Sequence, residues 1–215
     1  MVTKGLEASS RREVRRARHQ DLSRTQLLDA AERVFGEKGF HDATLSEIAE
    51  LAEYSVGSVY SFFEGKEDLF SQIFVRRGDE FMPGMRAIVE GTGSTSEKLH
   101  RLVDFQVGFF RAHNQFGRLF LRYTNIALVS QPGDLDDSIA RNYDESMRLQ
   151  SELIAGGQRA GQFHQGDPTV LAHLFSGLIA SYQAMDPSVV SHEADAPERL
   201  PLPELHLLVK RAFEV

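Results

Sequence analysis

The 215-residue chain has 24 Lys and Arg against 31 Asp and Glu, a net charge of −7, with 41% hydrophobic and 26% charged residues. These proportions suit a globular protein with a substantial core and exclude a surface that is basic throughout. With no cysteine, disulfides, thiolate metal sites and thiol catalysis are excluded as well.

The first segment, MVTKGLEASSRREVRRARHQ, has no apolar stretch of the secretory kind. No run further along approaches the roughly 18 apolar residues of a membrane span. The expectation is a cytoplasmic protein without a membrane partner. Residues 1–24 hold seven basic residues against three acidic ones, so the positive charge is local. Residues 1–20 are read as a flexible basic arm, with two uses left open: a contact to nucleic acid, or a solvated tail.

Past the arm, almost every segment repeats its apolar residues with helical period. Leu27, Ala30, Ala31, Val34 and Phe35 mark a helix over about 24–38. Ser23 and Gln26 have capping-box spacing at its start, and Gly39 marks its stop. A short helix follows on Leu45, Ile48, Ala49 and Ala52, capped by Thr44 with Glu47. A third, over about 55–63, has Ser55 as N-cap and an apolar stripe of Val56, Val59, Tyr60 and Phe63. Two short helices joined this tightly must cross steeply, as in a helix-turn-helix over about 44–63. A helical subdomain without a ligand is the competing reading at this point.

A fourth helix runs from Lys66 through Leu69, Phe70, Ile73 and Phe74, and Pro83-Gly84 is expected to break or kink it. Residues 91–96 read as a loop. Further helices are expected at about 96–114, 115–130, 135–160, 168–185 and 202–214, with connections at 130–137 and 186–201. The expected fold class is all-α, in domains at 21–80 and 81–215. No HExxH, GxSxG or phosphate-loop motif is present, and the histidines are scattered. No enzyme, cofactor or metal site is therefore expected.

The run RTQLLDAAERVFGEKGFHDATLSEIAELAEYSVGSVYSFFEGKEDLF, residues 24–70, resembles the DNA-binding domain of the TetR/AcrR family of transcriptional regulators. Ala30-Ala31, Phe35, Gly39-Phe40, Thr44, Ile48-Ala49, Ala52, Ser55, Gly57, Tyr60, Phe63, Lys66 and Leu69 carry the resemblance. Where the family usually has Ala-Gly-Val-Ser across the turn, this chain has Ala52-Glu53-Tyr54-Ser55. The resemblance implies a homodimeric repressor on a palindromic double-stranded operator, released when a small molecule binds the C-terminal helical bundle. A helical scaffold that has lost DNA recognition is the alternative.

The same resemblance implies DNA contacts from Arg24, Thr44, Tyr60 and Lys66, and a close backbone approach at Gly57. The third helix lacks the bidentate readers Arg, Lys, Asn and Gln on its outer face. Base reading is therefore assigned to Ser55, Ser58 and Ser61, to Tyr54 or Phe62 against thymine methyls, and to DNA shape. In the C-terminal domain a largely apolar effector is expected against Gln106, Phe109, Phe120, Tyr123, Tyr143 and Met147, an ordinary helical core being the other reading. A four-helix dimer face, as the resemblance implies, is expected from Leu171, Leu174, Phe175, Leu178 and Tyr182 with Leu205, Leu208 and Val209, packing entirely inside one subunit being the other reading.

Overall fold

The computed structural model describes residues 2–127, 137–190 and 199–215, with the side chains of residues 2–14, 16, 124–127 and 137–138 left undescribed. The chain is all-α. Its helices are α1 (Val2–Lys38), α2 (Leu45–Leu51), α3 (Val56–Tyr60), α4 (Lys66–Glu90), α5 (Thr95–Ala112), α6 (Asn114–Ala127), α7 (Asp137–Arg159), α8 (Pro168–Gln183), α9 (Pro187–Val190) and α10 (Leu202–Phe213). Among the described residues the sole β pairing is an isolated bridge between Phe163 and Glu214. Two compact units result, Met1–Ile73 and Phe74–Val215, where the sequence reading placed the boundary at 80.

The N-terminal unit is built on α1. Its stripe of Leu27, Leu28, Ala31, Val34 and Phe35 is buried, as are Ile48 and Ala49 of α2, Val59 of α3 and Leu69, Phe70 and Ile73 of α4. Phe35, Phe40 and Phe70 lie 5.0–5.8 Å apart in one aromatic cluster. Gly39 ends α1 with φ 83° and donates to the Phe35 carbonyl at 2.8 Å, the left-handed stop expected of it.

Helix α1 begins well before the expected start near residue 24, and one expectation about its cap is corrected. Residues 2–20 are helical and form its first turns; the segment has five Arg, contains no proline, and extends a helix already nucleated by packing. Ser23 accordingly caps nothing. It lies mid-helix, and its hydroxyl donates to the His19 carbonyl at 2.9 Å, a common habit of serine inside helices.

The C-terminal unit surrounds α5, which touches α6, α7, α8, α9 and α10. Leu102, Val103, Leu149, Phe175, Leu205 and Val209 are among its buried core. The expected break at Pro83 does not occur, and α4 passes through it. Pro83 and Asp79, whose carbonyl loses its partner to the proline, are both exposed, so water can take that carbonyl. Gly84 instead marks a close approach, since any Cβ there would strike the Phe105 ring of α5.

At the far end of α5, Arg111 donates from Nε to Asp186 at 2.6 Å and from Nη2 to the Tyr182 hydroxyl at 2.9 Å. At the near end, His100 and His206 meet through their Nδ1 atoms at 2.7 Å, with Glu214 and Asp104 on their Nε2 atoms. The expected connection at 186–201 contains α9. Residues 128–136 and 191–198, covering most of the other expected connection, lie outside the described residues.

Candidate nucleic-acid interface

Helix α2 begins at Thr44, whose φ of −120° and ψ of 149° place it outside the helix as N-cap. Its hydroxyl accepts from the Glu47 amide at 3.3 Å, and the Glu47 carboxylate accepts from the Thr44 amide at 3.1 Å. That carboxylate also receives the Lys38 ammonium. The hydrogen bond from Lys38 first, then those from Thr44, hold the Glu47 carboxyl below its usual range. A negative charge therefore already occupies the N-terminus of α2, where a phosphate was expected.

The turn to α3 is a Schellman motif. Tyr54 N donates to the Ala49 carbonyl at 2.8 Å and Glu53 N to the Glu50 carbonyl at 3.0 Å. This geometry needs a left-handed residue, and Glu53 takes it with φ 61°. Tyr54 turns inward, its hydroxyl 2.9 Å from Ser23 Oγ and 2.8 Å from Gln26 Oε1 on α1. Of the residues expected to face DNA, this one spends its polar group on the protein.

Ser55 caps α3, accepting from the Ser58 amide at 3.1 Å. Ser55, Gly57, Tyr60 and Ser61 are exposed and Ser58 partly so, while Val59 and then Phe63 enter the core. Tyr60, expected on the apolar side, is 59% exposed. The helix is only five residues long, and its phase is set by Val59 and Phe63, four apart, which carries Tyr60 outward. Gly57 is exposed, and a Cβ placed on it would find one neighbour within 4 Å, Ser55 Oγ at 3.7 Å.

The two expected cations are engaged with the protein. Lys66 donates to the carbonyls of His41 at 3.3 Å and Ala43 at 3.1 Å and lies 4.6 Å from the Phe40 ring centre. Arg24 donates to Gln72 at 2.8 Å and covers Phe63. Arg24 ties α1 to α4, Lys66 ties α4 to the loop between α1 and α2, and Lys66 has one ammonium proton left over.

The expected effector residues fall into two groups. Phe109 and Phe120 belong to an aromatic cluster with Phe81, Phe110 and Phe116, and Tyr123 stands 5.5 Å from Phe74. Gln106 is buried, and its Nε2 has no hydrogen-bond partner among the described residues; the same holds for Gln183 Nε2 on α8, which the sequence reading missed. Met147 is buried on α7, whereas Tyr143 is half exposed beside His173. A hollow of about 540 Å³ lies elsewhere, lined by Thr92, Ser96, Glu97, His100 and Arg101.

The expected dimer face divides in the same way. Phe175, Tyr182, Leu205 and Val209 are buried within their own unit, with Leu171 and Leu178 packed partly against that core. Leu174 and Leu208 are 60% and 41% exposed, and Val170 and Leu207 join them outside. The stripe on α8 is too wide for one face. Positions 171, 175, 178 and 182 look inward, and 170 and 174 look out.

Residues 27–73 match the family model described as bacterial regulatory proteins, tetR family. The fatty acid metabolism regulator protein of Bacillus subtilis (strain 168) is 24% identical over 144 residues, 66% of this chain and 71% of its own. The fatty acid degradation regulator FadR from Bacillus halodurans superposes with a TM-score of 0.69 at 24% identity, covering 86% of this chain and 93% of that one. FadR from Bacillus subtilis, solved in complex with stearoyl-CoA, gives 0.68 at 19% identity, covering 87% and 95%. These likenesses establish the shared fold.

Proposed function

From the membership of this chain in the tetR family of bacterial regulatory proteins, we infer that its α2–α3 unit is a DNA-reading head and that the chain is a transcriptional regulator released from its operator by a small molecule. The observation that carries the DNA reading is Gly57. Glycine costs a helix about 1 kcal/mol relative to alanine, and among the described residues nothing crowds that position. A bare backbone flanked by Ser55, Ser58, Tyr60 and Ser61 suits a surface that another molecule must approach closely. With no bidentate reader on this face, recognition rests on hydroxyls and on DNA shape. Tyr60 offers an exposed phenol to a phosphate, and Lys66 its remaining proton.

Two copies are needed for a palindrome, since successive major-groove faces recur about 34 Å apart. Val170, Leu174, Leu207 and Leu208 form the apolar surface we assign to the partner protomer. For the effector we propose a largely apolar molecule, with the orphan amides of Gln106 and Gln183 as its polar anchors. An unmet buried amide costs about 1–3 kcal/mol, which a ligand carbonyl would recover. Long-chain acyl-CoA thioesters are the first to test, because the Bacillus subtilis FadR structure holds stearoyl-CoA.

The test is selection of duplexes from a random pool, followed by a mobility shift with and without acyl-CoA. A single enriched palindrome retarded by the protein and freed by the ligand is the expected result. Failure to enrich any sequence at low salt would favour a scaffold without DNA recognition.

A further inference from the structure

We propose that Tyr54 is a positioning residue for DNA recognition, fixing the start of α3 against α1 through its hydroxyl. The inference rests on the DNA-binding reading above. Its starting point is how little else holds that end of α3. The helix has five residues, and its buried anchors, Val59 and the following Phe63, lie toward its C-terminal side. At the other end Ser55 and Gly57 are exposed and Val56 is only partly covered. The turn that delivers the chain to Ser55 contains Glu53 at φ 61°, a conformation that a side chain with Cβ resists. Two backbone hydrogen bonds close the turn onto α2, but neither ties it to α1.

Tyr54 stands between the strained residue and the N-cap, and it supplies the missing tie. Ser23 and Gln26 are three apart on α1 and therefore neighbours on one face. Ser23 is buried and has given its own proton to the His19 carbonyl, so its Oγ is left to accept. Gln26 presents a second acceptor oxygen within 2.8 Å of the phenol. The single phenolic proton thus has two acceptors in reach, and either bond draws the turn onto α1. The ring is itself half buried, which limits its freedom to swing toward solvent.

The consequence for recognition follows from what α3 offers. Short hydroxyls and a bare Gly57 backbone make useful hydrogen bonds only within a few tenths of an ångström of ideal separation. A long arginine could track a displaced helix, but serine cannot. Precision in this chain must come from the scaffold, and the Tyr54 hydroxyl is the polar group that connects the turn to it.

The experiment uses the full chain and the duplex that the wild type enriches from a random pool. Tyr54→Phe removes the hydroxyl and keeps the ring. With one net hydrogen bond lost per protomer, it should weaken dimer binding to that duplex about 10- to 100-fold. Affinity for an unselected duplex and the salt slope should stay as in the wild type. Ser23→Ala/Gln26→Ala, which leaves α3 untouched, should give the same loss, and adding Tyr54→Phe to it should cost nothing more. Operator affinity of Tyr54→Phe within 2-fold of wild type would overturn the proposal. So would additive losses, which would mean that the phenol touches DNA itself. A wild type that enriches no sequence would instead remove the DNA-binding reading on which the proposal stands.

Discussion

The glycine in α3 offers the sharpest test, because stability and binding should move in opposite directions. Gly57→Ala places a methyl group whose sole near neighbour is Ser55 Oγ, at an ordinary 3.7 Å. Among the described residues nothing resists it. Alanine is favoured over glycine by about 0.8–1.0 kcal/mol in a helix interior. Gly57 is the second residue of a five-residue helix, so roughly half of that, about 0.5 kcal/mol, is a fair expectation for the gain. Against DNA the same methyl enters a contact made by the bare backbone, and forcing an extra methyl into a packed surface costs about 1–3 kcal/mol. Each protomer contributes one such contact, so a dimer should bind its operator roughly 30-fold or more weakly by the tenfold-per-1.4 kcal/mol rule. Thermal unfolding and fluorescence anisotropy on the same preparation measure both. An unchanged operator affinity would show that Gly57 is not at the interface, and a lowered melting temperature would show that the fold needs it.

Four further outcomes follow from other parts of the structure. Removing residues 2–20 takes away Lys4, Arg11, Arg12, Arg15, Arg16 and Arg18; operator binding should weaken, and the salt slope should fall by about 0.9 for each phosphate no longer neutralised, an unchanged slope meaning that these residues are solvated. Glu47→Gln should flatten the acid limb of melting temperature against pH: the Glu47 carboxyl is held low, so its stabilisation is full above the ordinary carboxylate range and disappears as pH falls through the folded value. Gly84→Ala should destabilise by about 1–3 kcal/mol through the clash with Phe105, read by urea denaturation; a gain would mean that the ring yields freely. Leu174→Glu, at a site 60% exposed in one protomer, should leave circular dichroism intact. It should raise the dimer dissociation constant about 100-fold, since each of two copies forgoes at least about 1.5 kcal/mol of apolar burial, and analytical ultracentrifugation would show whether it does.

The parts of this fold that were legible in the sequence are those decided by neighbours in the chain. Gly39, the Thr44–Glu47 capping box and the Ser55 cap depend on three or four consecutive residues, and each stands where those residues put it. What escaped was decided by packing from a distance. Pro83 satisfies every local rule for a helix break, yet α4 continues because the carbonyl it orphans faces water and Gly84 seats the helix on Phe105. Tyr60 fits an i, i+4 stripe with Val56 as well as Val59 fits one with Phe63, and only the core decides between them. On α8 the apolar residues wrap so far around the helix that periodicity cannot separate the internal Phe175 from the external Leu174. Tyr54 stood out as unusual, but its partners Ser23 and Gln26 lie some thirty residues earlier, beyond any local pattern.

The charge distribution shows how the reading head must work. Between Gly39 and Lys66 there are five acidic residues, Asp42, Glu47, Glu50, Glu53 and Glu64, and a single base, Lys66 itself, which is largely spent on the His41 and Ala43 carbonyls. Such a segment cannot draw phosphates by its own field, because neutralised phosphates supply most non-specific affinity. The attraction has to come from outside the helix-turn-helix, and the basic first turns of α1 are where this chain concentrates positive charge. Those turns are helical and continuous with the buried part of α1. Ser23 and Gln26, the acceptors for Tyr54, sit where the exposed part of that helix becomes the buried part. On the proposed reading, affinity carried by one half of α1 and selectivity carried by α3 would meet at Tyr54, beside the turn where Glu53 takes a positive φ.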